Sequence, residues 1–388
     1  MLDLAIVGAG PAGLLSAARC ADAGLDVVVF EEHPAIGFPT HCTGVVSVEI
    51  TEFAKVPDEL VLGRVTRAKL TAPGGGQYDV RWDVEGGREE ILVIDRGGFD
   101  RHLAGRAVAD GARIELGARV DGIEVDRDAV VLSCGGRTLR ARACVLACGV
   151  SYRFQRQLGL GLPASLVHTA QIEVPAEPAD AVEMHFGRRV ARNGFLWTVP
   201  VTRGHRQLLK VGVMASGDAG DHLRHFLASP RLRARLRAEP GTPHRRLLPL
   251  SPIAKTFSDR LVVVGDAGGF TKPMTGGGIF YSLLTASLAA EALVEGFAAG
   301  RLDEAFLARY EQRWQDRLGQ ELRVGGWLRQ LVTKCTDAEI DALVRAIASN
   351  DVQEIIRRSA RFNWHREIIL AFVRQPGVTS AIFRSLFR

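Results

Sequence analysis

The sequence predicts an α/β protein: a doubly wound parallel sheet, an antiparallel β-rich second domain and a C-terminal helical region. Three observations predict it. The chain opens with an apolar run that ends in a glycine turn and continues in a helical pattern. A second, fully apolar run comes much later, at Leu261-Val-Val-Val-Gly265-Asp266. Between the two lie runs of alternating polarity, and after them roughly ninety residues of helical periodicity.

The first run reads Asp3-Leu-Ala-Ile-Val-Gly8-Ala-Gly10-Pro-Ala-Gly13, and Glu31 closes the next apolar run, Val27-Val-Val-Phe30. Strand, glycine turn, helix, strand and acid stand in the register of a dinucleotide-binding βαβ unit of Rossmann type. Gly8 permits the tight turn. Gly10 lets the backbone approach a pyrophosphate at the positive end of the helix. Gly13 lets that helix pack close to its strand, and Glu31 offers an acceptor to a ribose hydroxyl.

Residues 33–47 read as an irregular loop containing Pro39-Thr-His41-Cys42-Thr43-Gly44. Residues 65–94 alternate around Gly74-Gly75-Gly76, which predicts antiparallel strands and a hairpin. Asp95-Arg96 opens a helix to about Ala109, with Phe99, Leu103 and Ala107 at helical spacing. Strands follow at Ile114, Val120–Val125, Ala129–Ser133 and Ala143–Ala147. Gln171–Val174, Ala181–Phe186, Gly194–Pro200 and Gln207–Val213 alternate as strands, and one helix is expected over about 218–237. After the buried strand at Leu261, residues 276–299 form a long helix. The late strand makes the dinucleotide domain discontinuous: 1–64, 92–150 and 255–300. The second domain takes 65–91 and 151–254, and the helical domain 301–388.

An apolar fraction of 47% indicates a folded globule. The net charge of +5 leaves two readings of the arginine-rich stretches, such as Arg231-Leu-Arg233-Ala-Arg235-Leu-Arg237. They are solvated helix faces, or they attract anionic substrates or acidic lipid. No nucleic-acid-binding module is present in the sequence, so nucleic acid is not an expected partner. The six cysteines include no CxxC pair. Cys144 and Cys148 would lie about 13 Å apart on a straight strand, too far for a disulfide or a shared metal. No metal site is expected, and a reducing cytoplasm fits. The apolar start lacks a basic leader and runs into the glycine turn, so it does not read as a signal peptide. The uncharged stretch Pro273–Ala290 is long, but its Pro, Gly, Ser and Thr content favours a buried helix over a membrane span.

The second informative motif is Val264-Gly265-Asp266-Ala267 followed by Lys272-Pro273-Met274-Thr275-Gly276-Gly277-Gly278-Ile279. Asp266 stands at the carboxyl end of a buried strand, beside the nucleotide crevice, where it can accept from sugar or ribityl hydroxyls. The triple glycine opens a helix whose free N–H groups suit an electron-rich acceptor. In a flavin site that acceptor is the N1/O2 edge of the ring.

Taken in order, GAGPAG (8–13), Glu31, Cys42 in PTHCTG, Asp95-Arg96-Gly-Gly-Phe99-Asp100, Gly194-Phe-Leu-Trp197-Thr-Val-Pro200 and GDAGGFTKPMTGGGI (265–279) resemble the geranylgeranyl reductase family. These are FAD enzymes of the larger hydroxylase-type flavoprotein group, and the resemblance spans nearly the whole chain. It implies that Ala12 and Gly13 touch the FAD pyrophosphate and Glu31 the adenosine ribose. It implies that Cys42, Thr43 and Val45 line the flavin, and that Arg96 contacts FAD. Val120 falls near a backbone contact to adenine. Asp266 would hold the ribityl or pyrophosphate region, and Gly278 and Ile279 the isoalloxazine. Phe195, Trp197 and Pro200 match a YxWxFP strand that walls the substrate cavity. The chain departs from the family at Cys42-Thr43-Gly44, where Cys-Gly-Glu is usual. It departs again at Phe195, in place of the tyrosine, and at Cys148-Gly149, in place of Asp-Gly.

Several residues keep two readings. Cys42 is a thiol at the flavin face that steers substrate or assists protonation, or an inert buried cysteine. His41 is a proton donor or a surface histidine. Trp197 is a substrate wall or plain core. The stretch from Arg361 through Trp364 and Phe372 to Phe387 is a membrane-surface helix or a helix packed on the substrate domain.

The resemblance implies reduction of carbon–carbon double bonds in a polyprenyl lipid by reduced FAD. NAD(P)H or a redox partner protein would supply electrons transiently, since no second GxGxxG exists. The expected location is cytoplasmic with a peripheral membrane contact. Two alternatives stand: a flavin monooxygenase or halogenase, although halogenases favour WxWxIP where this chain has the single Trp197, and a flavoprotein passing electrons to quinone.

Overall fold

The computed structural model describes residues 1–81, 90–359 and 361–374. The chain begins with β1 (Leu2–Val7), α1 (Pro11–Asp22) and β2 (Val27–Phe30), the strand–helix–strand that the glycine spacing predicts. The short strands β3 (Val45–Ser47) and β4 (Val61–Val65) follow the loop that carries Cys42. The expected hairpin is β5 (Arg67–Thr71) against β6 (Gln77–Arg81), antiparallel from Arg67↔Arg81 to Thr71↔Gln77. β7 (Ile91–Ile94) runs into α2 (Arg96–Ala109), then β8 (Arg113–Glu115).

β9 (Val120–Val125) and β10 (Val130–Cys134) form the expected antiparallel pair. The strand expected at Ala143–Ala147 is the end of a longer one, β11 (Arg137–Leu146). Its first half pairs with β10, so its exposed, polar start hides it from a reading based on apolar runs. A short α3 (Arg153–Gln157) precedes β12 (Leu166–Pro175), β13 (Val182–His185), β14 (Phe195–Arg203) and β15 (Arg206–Ala215).

The single helix expected over 218–237 is two: α4 (Ala219–Leu227) and α5 (Pro230–Arg233). Ser229 is extended, at φ −62° and ψ 139°, because the ring of Pro230 bars it from helical geometry. β16 (His244–Pro249), β17 (Phe257–Ser258) and β18 (Leu261–Val263) complete the strands. The remaining helices are α6 (Ile279–Ala299), α7 (Glu304–Lys334), α8 (Asp337–Ile347), α9 (Asn350–Ser359) and α10 (Arg366–Val373). α6 starts three residues later than the glycine run, since Gly276 takes φ +73° and Gly278 caps the helix. The basic, apolar tail beyond Arg374 lies outside the described residues.

Three sheets result. The first has eight strands with the path β17-β18-β11-β1-β2-β8, and β9 and β10 pair off β11. Its centre, β18·β11·β1·β2·β8, is parallel. Strands more than 200 residues apart in the chain therefore meet in one sheet, with β18 joining it beside β11. The second has seven strands, β16-β12-β15-β14-β13-β5-β6. It is antiparallel except for β13 beside β5. The third is the antiparallel β3-β7-β4.

The main core lies between the parallel sheet and the helices α1, α2, α6 and α7, where Leu4, Ile6, Leu14, Leu283 and Tyr310 are fully buried. α6 is long and apolar enough to cross a membrane, but 67% of its most apolar window is buried against the protein. Burying that stripe here removes the drive to place it in lipid. All six cysteines are free thiols.

Candidate active site

β1, β2 and β18 point their carboxyl ends at one cavity of about 880 Å³. Its lining falls into two arms by origin in the fold: the parallel sheet and its loops give Gly8, Gly10, Ala12, Glu31, Val120 and Asp266, and the second sheet with the C-terminal helices gives Met184, Phe186, Phe195, Leu328, Ile356 and Ile369.

In the first arm, three glycines act differently. Gly8 has φ +104°, and a Cβ there would stand 2.4 Å from the carbonyl oxygen of Ala147. A Cβ on Gly13 would stand 2.0 Å from the carbonyl of Gly8, so Gly13 serves the packing of α1 on its strand. Gly13 is not among the cavity-lining residues. A Cβ on Gly10 would meet nothing within 4 Å, since it opens onto the cavity. α1 starts at Gly10 without a side-chain cap and without an acidic residue in its first turn. Its free N–H groups and positive dipole end thus face the cavity, where a diphosphate can accept from them.

Glu31 Oε2 accepts from the Ala9 N–H at 2.8 Å, and Oε1 accepts from the His33 N–H at 3.0 Å. These bonds aim the carboxylate across the turn and leave it lone pairs for a hydroxyl. Asp266 follows β18, and among the described residues nothing donates to its carboxylate. Burial pushes its pKa up, and Arg96 and Arg246 pull against that. Arg96 is held by Asp100 through bonds of 2.7 and 3.0 Å. Burial opposes the charge on Arg96, but the Asp100 carboxylate outweighs burial and keeps it a cation.

α6 supplies a second uncapped N-terminus. Gly278 is its N-cap without a side-chain bond, and no acid lies in the first turn. Gly277, Gly278 and Ile279 all line the cavity. A Cβ on Gly278 would stand 3.0 Å from Asp266 Oδ1, so glycine keeps that carboxylate and the helix end together. Two positive helix ends therefore face one cavity, each worth about 0.3–1 kcal/mol to a nearby anion.

The loop between the arms is held from below. A Cβ on Gly44, at φ +78°, would stand 2.4 Å from the carbonyl of Ile94. Cys42 Sγ accepts from the Gly44 N–H at 3.3 Å. Thr43 Oγ1 donates to Gln171 Oε1 at 2.6 Å and accepts from Trp197 Nε1 at 2.9 Å. The Thr43 carbonyl accepts from Lys210 Nζ at 2.7 Å. Cys42, Thr43 and Val45 all face the cavity. His41 packs edge-on to His244, with ring centroids 4.9 Å apart. Burial, with help from Arg246 and His244, pulls its pKa down to about 4, so the ring is neutral at pH 7.

In the second arm, β14 presents Phe195 and Trp197 to the cavity, because side chains two apart share a face. Pro200 has the opposite parity and is not among the lining residues, so the YxWxFP resemblance places one residue too many on the wall. The Phe186, Phe195 and Trp197 rings form a row, with centroids 5.9 and 5.6 Å apart. α7, α8, α9 and α10 close this arm with Leu328, Ile347, Ile356 and Ile369.

Sequence reasoning missed Gln171, Lys210 and Arg246. Lys210 carried a signal, a cation inside the apolar run Leu209–Val213. It is buried, and burial pulls its pKa down. Gln171 and Arg246 carried none, as their roles depend on which loop crosses their strands.

A model of the lycopene cyclase protein family matches residues 3–349. A digeranylgeranylglycerophospholipid reductase from Methanothermobacter thermautotrophicus is 30% identical over 375 residues, covering 92% of this chain and 94% of that protein. The crystal structure of a geranylgeranyl bacteriochlorophyll reductase-like protein from Thermoplasma acidophilum superposes with a TM-score of 0.84 at 21% identity, covering 99% of each chain. A variant of the halogenase PltM in complex with FAD superposes with a TM-score of 0.67 at 16% identity, covering 98% of this chain and 88% of that one, and shares the fold. By sequence the chain belongs to the lycopene cyclase family and is related to the digeranylgeranylglycerophospholipid reductases, and it shares its fold with the geranylgeranyl reductase-like protein.

Proposed function

We propose that this protein reduces carbon–carbon double bonds in the polyprenyl chain of a lipid held over bound FAD. One observation carries the reading: a single cavity joins a dinucleotide cradle to an apolar arm. Each methylene moved from water into that arm contributes roughly 0.8 kcal/mol, so a prenyl chain binds there without polar recognition along its length.

The cradle fits the cofactor. Glu31 accepts from the adenosine ribose, and Val120 lies at the adenine end. Gly8, Gly10, Ala12 and the start of α1 hold the pyrophosphate, with Gly13 supporting them from behind. Arg96 and Asp266 take the middle of the molecule. Cys42, Thr43, Val45, Gly278 and Ile279 surround the ring. When bound and reduced, FAD supplies hydride. The uncapped start of α6 would stabilise negative charge developing on the reduced group. Phe195 and Trp197 would give the prenyl chain an apolar wall and exclude water from it. A proton for the second carbon comes from the Cys42 thiol or from water.

Electrons arrive from NAD(P)H docking transiently or from a redox protein. The lipid is collected at a membrane surface, on the cytoplasmic side. Phe38 (68% exposed) and Leu247 (36% exposed) support this, since both line the cavity yet face solvent, beside the exposed Arg245 and Arg246.

The test is anaerobic. Dithionite-reduced protein is mixed with prenyl lipids, flavin reoxidation is followed by absorbance, and products are weighed by mass spectrometry. Reoxidation with saturated product is expected. Flavin that reoxidises only with dioxygen and an aromatic substrate, or only with quinone, would instead support one of the two alternatives.

A further inference from the structure

We propose that Thr43 determines which double bond of the substrate is reduced, by fixing the Trp197 ring where the two arms of the cavity meet. The inference rests on the prenyl-reductase reading.

The geometry is directional. An indole N–H can only donate. Trp197 Nε1 donates to Thr43 Oγ1, so the hydroxyl must spend its own proton elsewhere, and it does so on Gln171 Oε1. The chain Trp197 → Thr43 → Gln171 thus has one polarity, and each member has one orientation. All three side chains line the cavity. They come from the Cys42 loop, β14 and β12, so the relay ties the cofactor-side loop to the substrate-side sheet. Lys210, from β15, pins the Thr43 carbonyl from beneath at 2.7 Å and leaves the loop little freedom to follow a displaced ring.

A second observation fixes the same ring. Gly212 lies opposite Trp197 in the β14·β15 ladder, and a Cβ on Gly212 would stand 2.3 Å from the indole. The ring therefore lies down on the strand because glycine leaves it the space. Its floor is Gly212, its edge neighbour is Phe195 and its polar tether is Thr43. A prenyl chain threading from the apolar arm toward the ring of FAD meets this indole. Tilting the indole lengthens or shortens the path, and a prenyl chain offers a new double bond at each isoprene unit. A change in path length of one isoprene unit thus brings a different double bond to the flavin.

The experiment compares Thr43→Val, Thr43→Ser and Gly212→Ala. Valine keeps the shape and loses both bonds, serine keeps both bonds, and alanine at 212 lifts the ring without touching Thr43. The first readout is the position of saturated bonds in the product. The second needs no turnover: Trp197 emission, isolated as the difference between the protein and its Trp197→Phe variant. Thr43→Val and Gly212→Ala are expected to change the product pattern, to raise the KM for lipid by about tenfold and to shift the Trp197 emission. Thr43→Ser should restore all three. The double variant should do no worse than either single one, since both displace one ring. If wild-type protein reduces prenyl lipid and Thr43→Val leaves the product pattern unchanged, the proposal is overturned, whatever happens to KM and emission. It is overturned equally if Gly212→Ala alone has an effect. If wild-type protein reduces no prenyl lipid, the functional reading fails, and the emission data still decide whether Thr43 holds the ring.

Discussion

Gly8 and Gly10 are two residues apart and separate folding from binding. Gly8 has a positive φ and the carbonyl of Ala147 against its missing side chain. Gly8→Ala should therefore cost the apoprotein about 1–3 kcal/mol in denaturant unfolding. Gly10 has no protein neighbour within 4 Å of its missing side chain. Gly10→Ala should change apoprotein stability by less than about 1 kcal/mol yet weaken FAD retention by about tenfold or more. Unchanged FAD retention in Gly10→Ala would contradict a ligand at Gly10. Glu31→Ala removes an acceptor for the ribose together with the bonds to Ala9 and His33. An FAD affinity about tenfold lower is expected in equilibrium dialysis, and unchanged affinity would remove Glu31 from the site.

Among the elements, the segment leading into α10 is tied to the rest of the fold by buried side-chain hydrogen bonds. Asn363 is 1% exposed, and its amide donates to Ser47 Oγ and Glu49 Oε2 while accepting from Lys272 Nζ. The Glu321 carboxylate accepts from the N–H groups of His365 and Arg366. Asn363→Ala would strand several buried partners and should cost about 2–3 kcal/mol in unfolding experiments. Burial, with Lys272 nearby, pulls His365 down to about 3, from an ordinary 6.5. The unfolded chain therefore takes up this proton first. The contribution is whole above pH 6.5 and is lost as pH falls toward 3. Proteolytic cleavage near Arg361 should accelerate as pH drops from 6.5, and His365→Gln should flatten that dependence. A profile that rises with pH would show the sign to be wrong. Alternation identified β12 to β15 as strands, yet it carries no information on partners. That β13 lies parallel to β5 is set by the three-dimensional path of the chain.

At the scale of the molecule, ligand binding and folding are linked through one cavity. FAD at a hundred times its Kd should stabilise the protein by about 2.7 kcal/mol, seen as a rise in Tm. A prenyl lipid added to the FAD complex should raise it further, while a short-chain analogue should not, because only the apolar arm gains from chain length. A rise with FAD that lipid leaves unaltered would argue against the second arm as the lipid site. The βαβ glycines, the acid at 31, the strand ending at Asp266 and the glycine run before α6 were all legible in the order of residues. Each stands at a fixed spacing from a strand or a helix start, so residue type and spacing suffice to read them even where the partner, such as the Ala147 carbonyl against Gly8, is distant. That Pro200 does not line the cavity came from the fold. It alone brought Trp197 to Thr43 across 154 residues, and Asn363 to Ser47 across 316. Those contacts exist because two sheets and a late helix converge on one loop, and no local pattern of side chains encodes which distant surface arrives there.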